Sequence, residues 1–220
     1  MALVIVEPRC HPLLAPVLYN AASFFGGGDA CLYIFHGSHN ASFVADIVND
    51  WEGVQLMNLG IENLTISQYN ETLTNPRFYE VFLSRCHDDA KLLVFQTDSL
   101  IFRPLPSKFI TGDYDYVGAP WSWRHFHDEE HKDRVIGNGG FSLRKLSTML
   151  RVCRENRLCD LPKGTPLAED VFFSYHCTKF PSMEDAAEFS VEHIAHPRPF
   201  GHHQMYRFHP WERFLECMRA

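Results

Sequence analysis

The chain has 220 residues, 45% hydrophobic and 21% charged, with a formal net charge of -7. Such a length suits one domain with a sizeable core, and the acidic balance argues against general attraction to nucleic acid or anionic membrane. Seven cysteines without a C-x-x-C pair point to free thiols rather than a zinc ribbon or a disulfide framework.

Ala2 to Val6 reads as a buried strand ending in Glu7-Pro8-Arg9. It is too short for a signal-peptide core, and no other apolar run approaches a membrane span. A cytoplasmic location is therefore expected, and the sequons at Asn40, Asn63 and Asn70 read as chance matches. Leu13 to Phe25 has helical spacing and is stopped by Gly26-Gly27-Gly28. That triplet is no phosphate loop, since it follows a helix and lacks G-x-x-x-x-G-K-[ST]. Cys31 to Phe35 is a second strand, ending at His36-Gly37. Asn40 or Ser42 is expected to cap a helix through Val48, and Val54 to Leu59 is a third strand.

Strand and helix alternating in this way signal a parallel sheet. Its strand ends would set Glu7, Arg9, His36 and Gly37 on one rim. Arg9 there fits a phosphate partner and equally fits a solvated loop. Ile66 to Cys86 reads as one or two helices broken near Asn75-Pro76, with Tyr69, Phe78, Tyr79 and Phe82 as core aromatics.

Leu92 to Phe95 is the continuous apolar run of a central strand buried on both faces, and the chain then turns polar at Gln96, Thr97, Asp98 and Ser99. Ligands in open α/β sheets sit outside the carboxyl ends of strands. Asp98 would stand at that rim, where a carboxylate can hold a divalent metal. Pro104-Leu-Pro106 enforces a turn, and Asp113 to Trp121 alternates toward a strand. The charged stretch Arg124 to Arg134 carries His125, His127 and His131. It reads as an exposed loop rather than a ligand cluster, with a secondary role as a lid over the site. Gly137-Asn-Gly-Gly140 permits close approach of a ligand to the main chain, and Phe141 to about Val152 is expected to be helical. Glu169-Asp170 opens a helix, a place the helix dipole favours for carboxylates. Phe189 to Glu192 reads as a short strand, followed by Pro199-Phe-Gly-His-His203.

The ordered set F-Q-T-D, V-G-A-P-W, G-N-G-G-F-S-L-R, E-D-V-F-F, F-S-V-E and P-F-G-x-H, from about Leu92 to His203, resembles nucleotide-sugar glycosyltransferases of the GT-A fold. Within them it is most similar to a family of small glycosyltransferase-like domains. The resemblance implies a single α/β, Rossmann-like domain across residues 1–220, with a mostly parallel central sheet flanked by helices. Residues 1–103 would form the nucleotide-binding half and 104–220 the acceptor and catalytic half. It implies transfer of a hexosyl or pentosyl group from a UDP- or GDP-sugar to a glycan or glycoconjugate hydroxyl, inverting and assisted by Mn2+ or Mg2+.

By the same resemblance, the donor would be held by Glu7, Arg9, His36, Gln96, Thr97, Asp98, Asn138, Gly139 and Gly140. Asp98 and the late His203 would ligate the metal. Asp170 would be the general base, with Glu169 as runner-up. The chain departs from the usual D-x-D in carrying Gln96-Thr-Asp98, so one ligand would be an uncharged amide. Two rival readings are a nucleotidyltransferase, which should carry a basic phosphate loop, and a non-catalytic nucleotide- or carbohydrate-binding module.

Overall fold

The computed structural model describes residues 1–26, 30–126 and 128–219. Gly27, Gly28 and His127 lie outside them. At the centre is β1 (Ala2–Val6), buried at every position, as its unbroken aliphatic run requires. It pairs in parallel with β2 (Cys31–His36) on one side and with β4 (Lys91–Phe95) on the other. Beyond β2 lies β3 (Val54–Asn58), also parallel. Alternate residues feed two core layers. Val4, Val6 and Val94 face the aromatic side with Tyr79, Phe82 and Phe173, whereas Leu3, Ile5 and Leu93 face helix α1 (Leu14–Phe25) with Phe109, Phe189 and Phe200.

Gly26 ends α1, its N–H donating to the Ala22 carbonyl. Asn40 stands just before α2 (Ala41–Ile47) but does not cap it with its side chain. Its amide donates instead to the Glu7 and Arg9 carbonyls (3.0 and 2.8 Å), and its oxygen accepts the Gly37 N–H. That fixes the loop leaving β1. The segment from Ile66 divides into α3 (Ile66–Leu73), begun by a Thr65/Gln68 capping box, and α4 (Pro76–Glu80), whose proline sits in the first turn.

The remaining strands correct one expectation. Phe141–Lys145 forms no helix; it is β6's partner strand β7, running antiparallel to both β4 and β6 (Tyr116–Gly118). Helix α6 starts only afterwards, at Leu146, and runs to Glu155. Phe141 and Leu143 point into one core layer, while Ser142 and Arg144 point into the other and are fully buried. Two inward-facing polar residues hid the period-two pattern. The sheet order is β3-β2-β1-β4-β7-β6, with β5 (Ser99–Ile101), β8 (Ser190–Val191) and β9 (Gly201–His203) forming a small second sheet in the order β5-β9-β8. The helices α5 (Ser107–Thr111), α7 (Glu169–His176), α8 (Met183–Phe189) and α9 (Trp211–Arg219) complete the α/β domain. Among the described residues no helix is long and apolar enough to cross a membrane.

This topology puts the site in one place. Connections leave β1 toward β2 and return to β4 on its opposite flank, so the sheet's switch point lies between the carboxyl ends of β1 and β4. Antiparallel β7 enters at the same rim, with Phe141 in register with Phe95. The pairing of β9 with β5 sets His203 opposite Ser99, next to Asp98.

Candidate active site

A cleft of about 400 Å³ opens at that switch point. One wall carries Glu7 and Arg9 from the end of β1, and the floor carries Gln96, Thr97 and Asp98 from the end of β4. Asn138, Gly140 and His203 form the back, Glu169 and Asp170 the far side, and Leu64, Ile66, Tyr69 and Asn70 the rim beyond β3. His36 is not among the lining residues: it is buried, with Nδ1 2.8 Å from the Gly37 carbonyl. Gly139 meets the cleft only through its neighbours.

Glu7 is buried and grips Arg9 three times, accepting from its backbone N–H (3.0 Å), Nε (2.7 Å) and Nη2 (2.7 Å). This bidentate fork fixes the guanidinium at the cleft wall. Arg9 is the one Lys or Arg among the described lining residues. Glu7 thus serves as the anchor of a positive group.

Asp98 Oδ2 accepts from Gln204 Nε2 at 2.7 Å, and the Asp98 carbonyl accepts the Gln204 N–H. Gln204 adopts left-handed backbone angles (φ 50°) to do so, and it is the one described non-glycine residue with positive φ. Asp98 Oδ1 is buried and accepts no hydrogen bond. His203 Nε2 lies 3.3 Å away but outside hydrogen-bond geometry. The same Nε2 is 3.1 Å from Gln96 Oε1, and His203 Nδ1 is 3.1 Å from Glu192 Oε1. Burial alone would pull the His203 imidazole down; the Asp98 and Glu192 carboxylates outweigh it and lift it to about 9. Burial likewise works to raise Asp98, but His203 holds its carboxyl below the ordinary value.

Among the described residues no three His, Cys, Asp or Glu side chains gather as a metal centre. The set that could hold a cation is mixed: the orphaned Asp98 Oδ1, His203 Nε2 and the Gln96 amide oxygen. Neighbouring ligands of a small octahedral cation stand about 3 Å apart, a spacing that His203 Nε2 approaches both to Asp98 Oδ1 (3.3 Å) and to Gln96 Oε1 (3.1 Å). Close packing preserves it, since a Cβ on Gly140 would come within 2.2 Å of His203 Nε2.

The carboxylate pair separates into two roles. Glu169 is buried against Arg144, a fully buried guanidinium on β7, with Oε2 2.9 Å from Nη1 and Oε1 3.1 Å from Nη2. Arg144 also donates to Ser142 Oγ, Tyr79 OH and the Gly139 carbonyl, and its guanidinium lies 5.3 Å from the centroids of both Tyr116 and Phe173. Glu169 therefore neutralises a core charge, with Oε1 accepting from Arg144 while Oε2, though close to Nη1, accepts no hydrogen bond. Asp170 accepts the Val171 N–H (2.8 Å) and the Gly139 N–H (3.3 Å), with an edge open to the cleft. Burial, then the neighbouring Glu169 charge, push its carboxyl up to about 7. Gly139 has to be glycine, because a Cβ there would fall 1.9 Å from Glu169 Oε1.

Asn138 is committed internally, donating to Glu192 Oε2 at 2.7 Å and accepting the Gly140 N–H at 3.1 Å. Sequence reasoning assigned no role to Glu192, Arg144, Gln204 or Tyr69, whose hydroxyl accepts from Gln96 Nε2 at 2.9 Å. The first two were within reach, because they end the F-S-V-E and G-N-G-G-F-S-L-R runs. The expected lid is packed elsewhere. Phe126 is buried, His131 stacks on Tyr175, and Arg134 donates to the carbonyls of Ser174, Tyr175 and Cys177. No described residue of 124–134 lines the cleft. His125 accepts from Trp123 and His131 pairs with Asp128, so these two rings share no ligand position.

Comparison with known proteins places this geometry. The family model described as protein of unknown function (DUF5672) matches residues 53–203. No curated protein matches the sequence. An active-site mutant of LgtC matches at TM-score 0.55 and 11% identity, over 98% of this chain and 94% of that one. The galactosyltransferase LgtC in complex with donor and acceptor sugar analogs matches at 0.55 and 11%, over 100% and 95%. The apo structure of the bifunctional glycosyltransferase WbbM matches at 0.61 and 10%, over 99% of this chain and 49% of that one. The fold is therefore GT-A-like, and at these identities the likeness is one of fold.

Proposed function

The chain belongs to the family described as protein of unknown function (DUF5672), and on that footing we propose that it is a glycosyltransferase, moving a sugar from a nucleotide diphosphate to a hydroxyl acceptor. One observation carries this reading: a buried, unsatisfied Asp98 oxygen beside His203 shares a switch-point cleft with Asp170, a carboxylate whose pKa is about 7. The first arrangement suits a cation-bound diphosphate, and the second suits a proton acceptor. LgtC was crystallised with donor and acceptor sugar analogs, which favours the same ligand classes here.

Asp98, His203 and the Gln96 amide oxygen would hold Mn2+ or Mg2+. When bound, the ion would offset negative charge on the leaving diphosphate. The other groups act directly. Arg9, held by Glu7, faces the donor's phosphates from the β1 wall, and the Gly139-Gly140 turn lets the sugar approach the main chain. Asp170 takes the proton of the acceptor hydroxyl as that oxygen bonds to the anomeric carbon. The bond from that carbon to the diphosphate oxygen breaks, and the diphosphate leaves with the electron pair. Attack opposite the leaving group inverts the anomeric centre. Near neutral pH a group of pKa about 7 is both ionised in part and basic enough to take the proton.

A nucleotidyltransferase would need a basic phosphate loop, whereas Arg9 is the single lining Lys or Arg described. A non-catalytic module is favoured by one observation, the amide of Gln96 where a second carboxylate is usual. Release of UDP or GDP from their sugar nucleotides, with and without Mn2+, separates the readings. Metal-dependent release supports transfer, binding without release supports a module, and neither refutes both.

A further inference from the structure

Asn70 lies in an N-x-T sequon, yet its side chain is buried in the fold and both ends of its amide are in use. Nδ2 donates to the Leu167 carbonyl at 3.1 Å, and Oδ1 accepts the Glu169 N–H at 3.2 Å. Asn70 stands within α3, whereas its two partners flank the start of α7, as far as 99 residues further along the chain.

Helix α7 lacks a cap of its own. Its N-cap residue is Ala168, which has no side-chain oxygen to receive the free N–H groups of the first turn. Asn70 supplies an acceptor from the neighbouring helix for the Glu169 N–H, while Asp170 Oδ1 receives the Val171 N–H. The donor half of the same amide holds the chain just before the helix, at Leu167. A two-point clamp thus closes on residues 167 and 169, and the next residue is Asp170. The Gly139 N–H then meets Asp170 Oδ2 from the other side.

Asn70 also belongs to the cleft. It lines the same cavity as Asp170, and the preceding Tyr69 accepts from Gln96 Nε2 on the floor. Consecutive residues of α3 therefore tie down the Gln96 amide and the start of α7. Thr74 Oγ1 donates to the Asn70 carbonyl at 2.8 Å, which holds this part of α3 in turn. Only an amide suits the position: a carboxylate could not donate to Leu167, and an aliphatic side chain could neither donate nor accept. Reacting groups need such a supporting layer, since a misplacement of about 1 Å can cost about 10²-fold in rate.

We propose that Asn70 is a positioning residue, whose amide clamps the entry to α7 and so holds Asp170 against the Gly139 N–H with one edge toward the acceptor hydroxyl. The proton transfer in this proposal rests on the glycosyltransferase reading; the clamp does not.

The test follows Asp170 directly, by carbon-13 NMR titration of its carboxyl in the full chain, with the signal assigned by its loss in Asp170→Asn. The groups facing Asp170 are Glu169 from α7, Arg144 from β7 and the Tyr116 hydroxyl from β6, and all stay in place in the variants. Asn70→Ala should lower the Asp170 midpoint from about 7 by about one pH unit, as the freed segment lets water reach the carboxyl. Asn70→Asp keeps an acceptor for the Glu169 N–H and adds a negative charge, so the midpoint should rise instead. In both variants kcat for UDP release from UDP-glucose or UDP-galactose should fall by about 10–100-fold, with affinity for UDP and Mn2+ within about twofold of the parent. An Asp170 midpoint within about 0.3 pH unit of the parent in Asn70→Ala would overturn the proposal; if that variant does not fold, the same result in Asn70→Asp does so. Weakened UDP affinity with an unaltered kcat would overturn it too, by making Asn70 a direct contact of the donor. Shifted midpoints in a chain that releases no UDP would keep the clamp and remove the glycosyltransferase reading.

Discussion

Replacing Asp170 with Asn should make the protein more stable and less active, and the stability gain should depend on pH. In the folded chain Asp170 keeps its proton to about pH 7, whereas an ordinary aspartate releases it near 3.8. Between those values the folded state binds the extra proton, so stability due to this group is fully present below about pH 4. It declines as pH rises and is lost above about 7. A separation of roughly three pH units corresponds to about 4 kcal/mol. Two features of the site reduce the figure. One edge of the carboxylate meets the water of the cleft. An Asn side chain also cannot accept from both Val171 and Gly139 N–H groups as the carboxylate does, which costs about 1 kcal/mol.

The expected gain for Asp170→Asn is therefore about 2–3 kcal/mol at pH 8, shrinking through pH 6 and vanishing near pH 4. Urea unfolding of both proteins at pH 4.5, 6 and 8, compared at equal m, measures it. Other titrations are shared by the two proteins and cancel in the difference. Turnover should fall by about 10²–10⁴-fold, with UDP affinity unchanged. A stability difference flat across pH would show that Asp170 titrates normally and has no proton affinity suited to a base. Near-normal turnover, or a product that keeps the donor's anomeric configuration, would remove the inverting role even if the stability profile holds.

Other perturbations have equally definite outcomes. Asp98→Ala should abolish Mn2+-dependent UDP binding in calorimetry while His203→Ala only weakens it, since an imidazole supplies a ligand without charge. Gly140→Ala should also weaken it by about tenfold or more, because the new methyl takes the space of the His203 ring. Arg144→Met should cost about 3–5 kcal/mol of stability by stranding Glu169, and adding Glu169→Leu should recover most of that loss. Amide exchange across 128–136 should be the same with and without UDP and Mn2+, because Arg134 ties the segment to the end of α7. Protection on binding would restore its role as a lid.

What was legible in the sequence is local. Strands β1, β2, β3 and β4 show as apolar runs, and the polar residues after β1 and β4 mark the rim that the topology makes a cleft. Glycine at 139 and 140 signals close approach, although of Glu169 and His203 rather than of a ligand alone. The illegible parts depend on contacts distant along the chain. Arg144 reads as part of a helix start until Glu169, Tyr79 and the Gly139 carbonyl are brought around it. Three-residue strands β5 and β9 are too short to show a period, and their pairing across about a hundred residues delivers His203. His36 sits at the end of an edge-ward strand like a rim residue, yet its own neighbour's carbonyl turns it inward.

The uncharged Gln96 also has a physical consequence for how the site would work. Its amide is held from both ends, donating to Tyr69 OH and facing His203 with its oxygen. It is therefore a fixed part of the wall, and a reorientation would leave the Tyr69 hydroxyl without its donor. Once a cation displaces the proton that His203 otherwise holds to about pH 9, one carboxylate, one amide and one imidazole carry a single formal negative charge, too little to neutralise a divalent cation. The missing anionic oxygens are those a diphosphate brings. Metal and nucleotide should then bind as a unit: Mn2+ alone weakly, UDP alone weakly, and each strengthening the other by the same factor, as linkage requires. Gln96→Asp adds the charge that the site lacks. It should raise affinity for Mn2+ alone and reduce that mutual factor, at the expense of the Tyr69 hydrogen bond. Calorimetric titration of each ligand in the presence and absence of the other measures both quantities. Independent binding in the parent protein, or a variant with unchanged Mn2+ affinity, would place the cation away from Gln96 and Asp98.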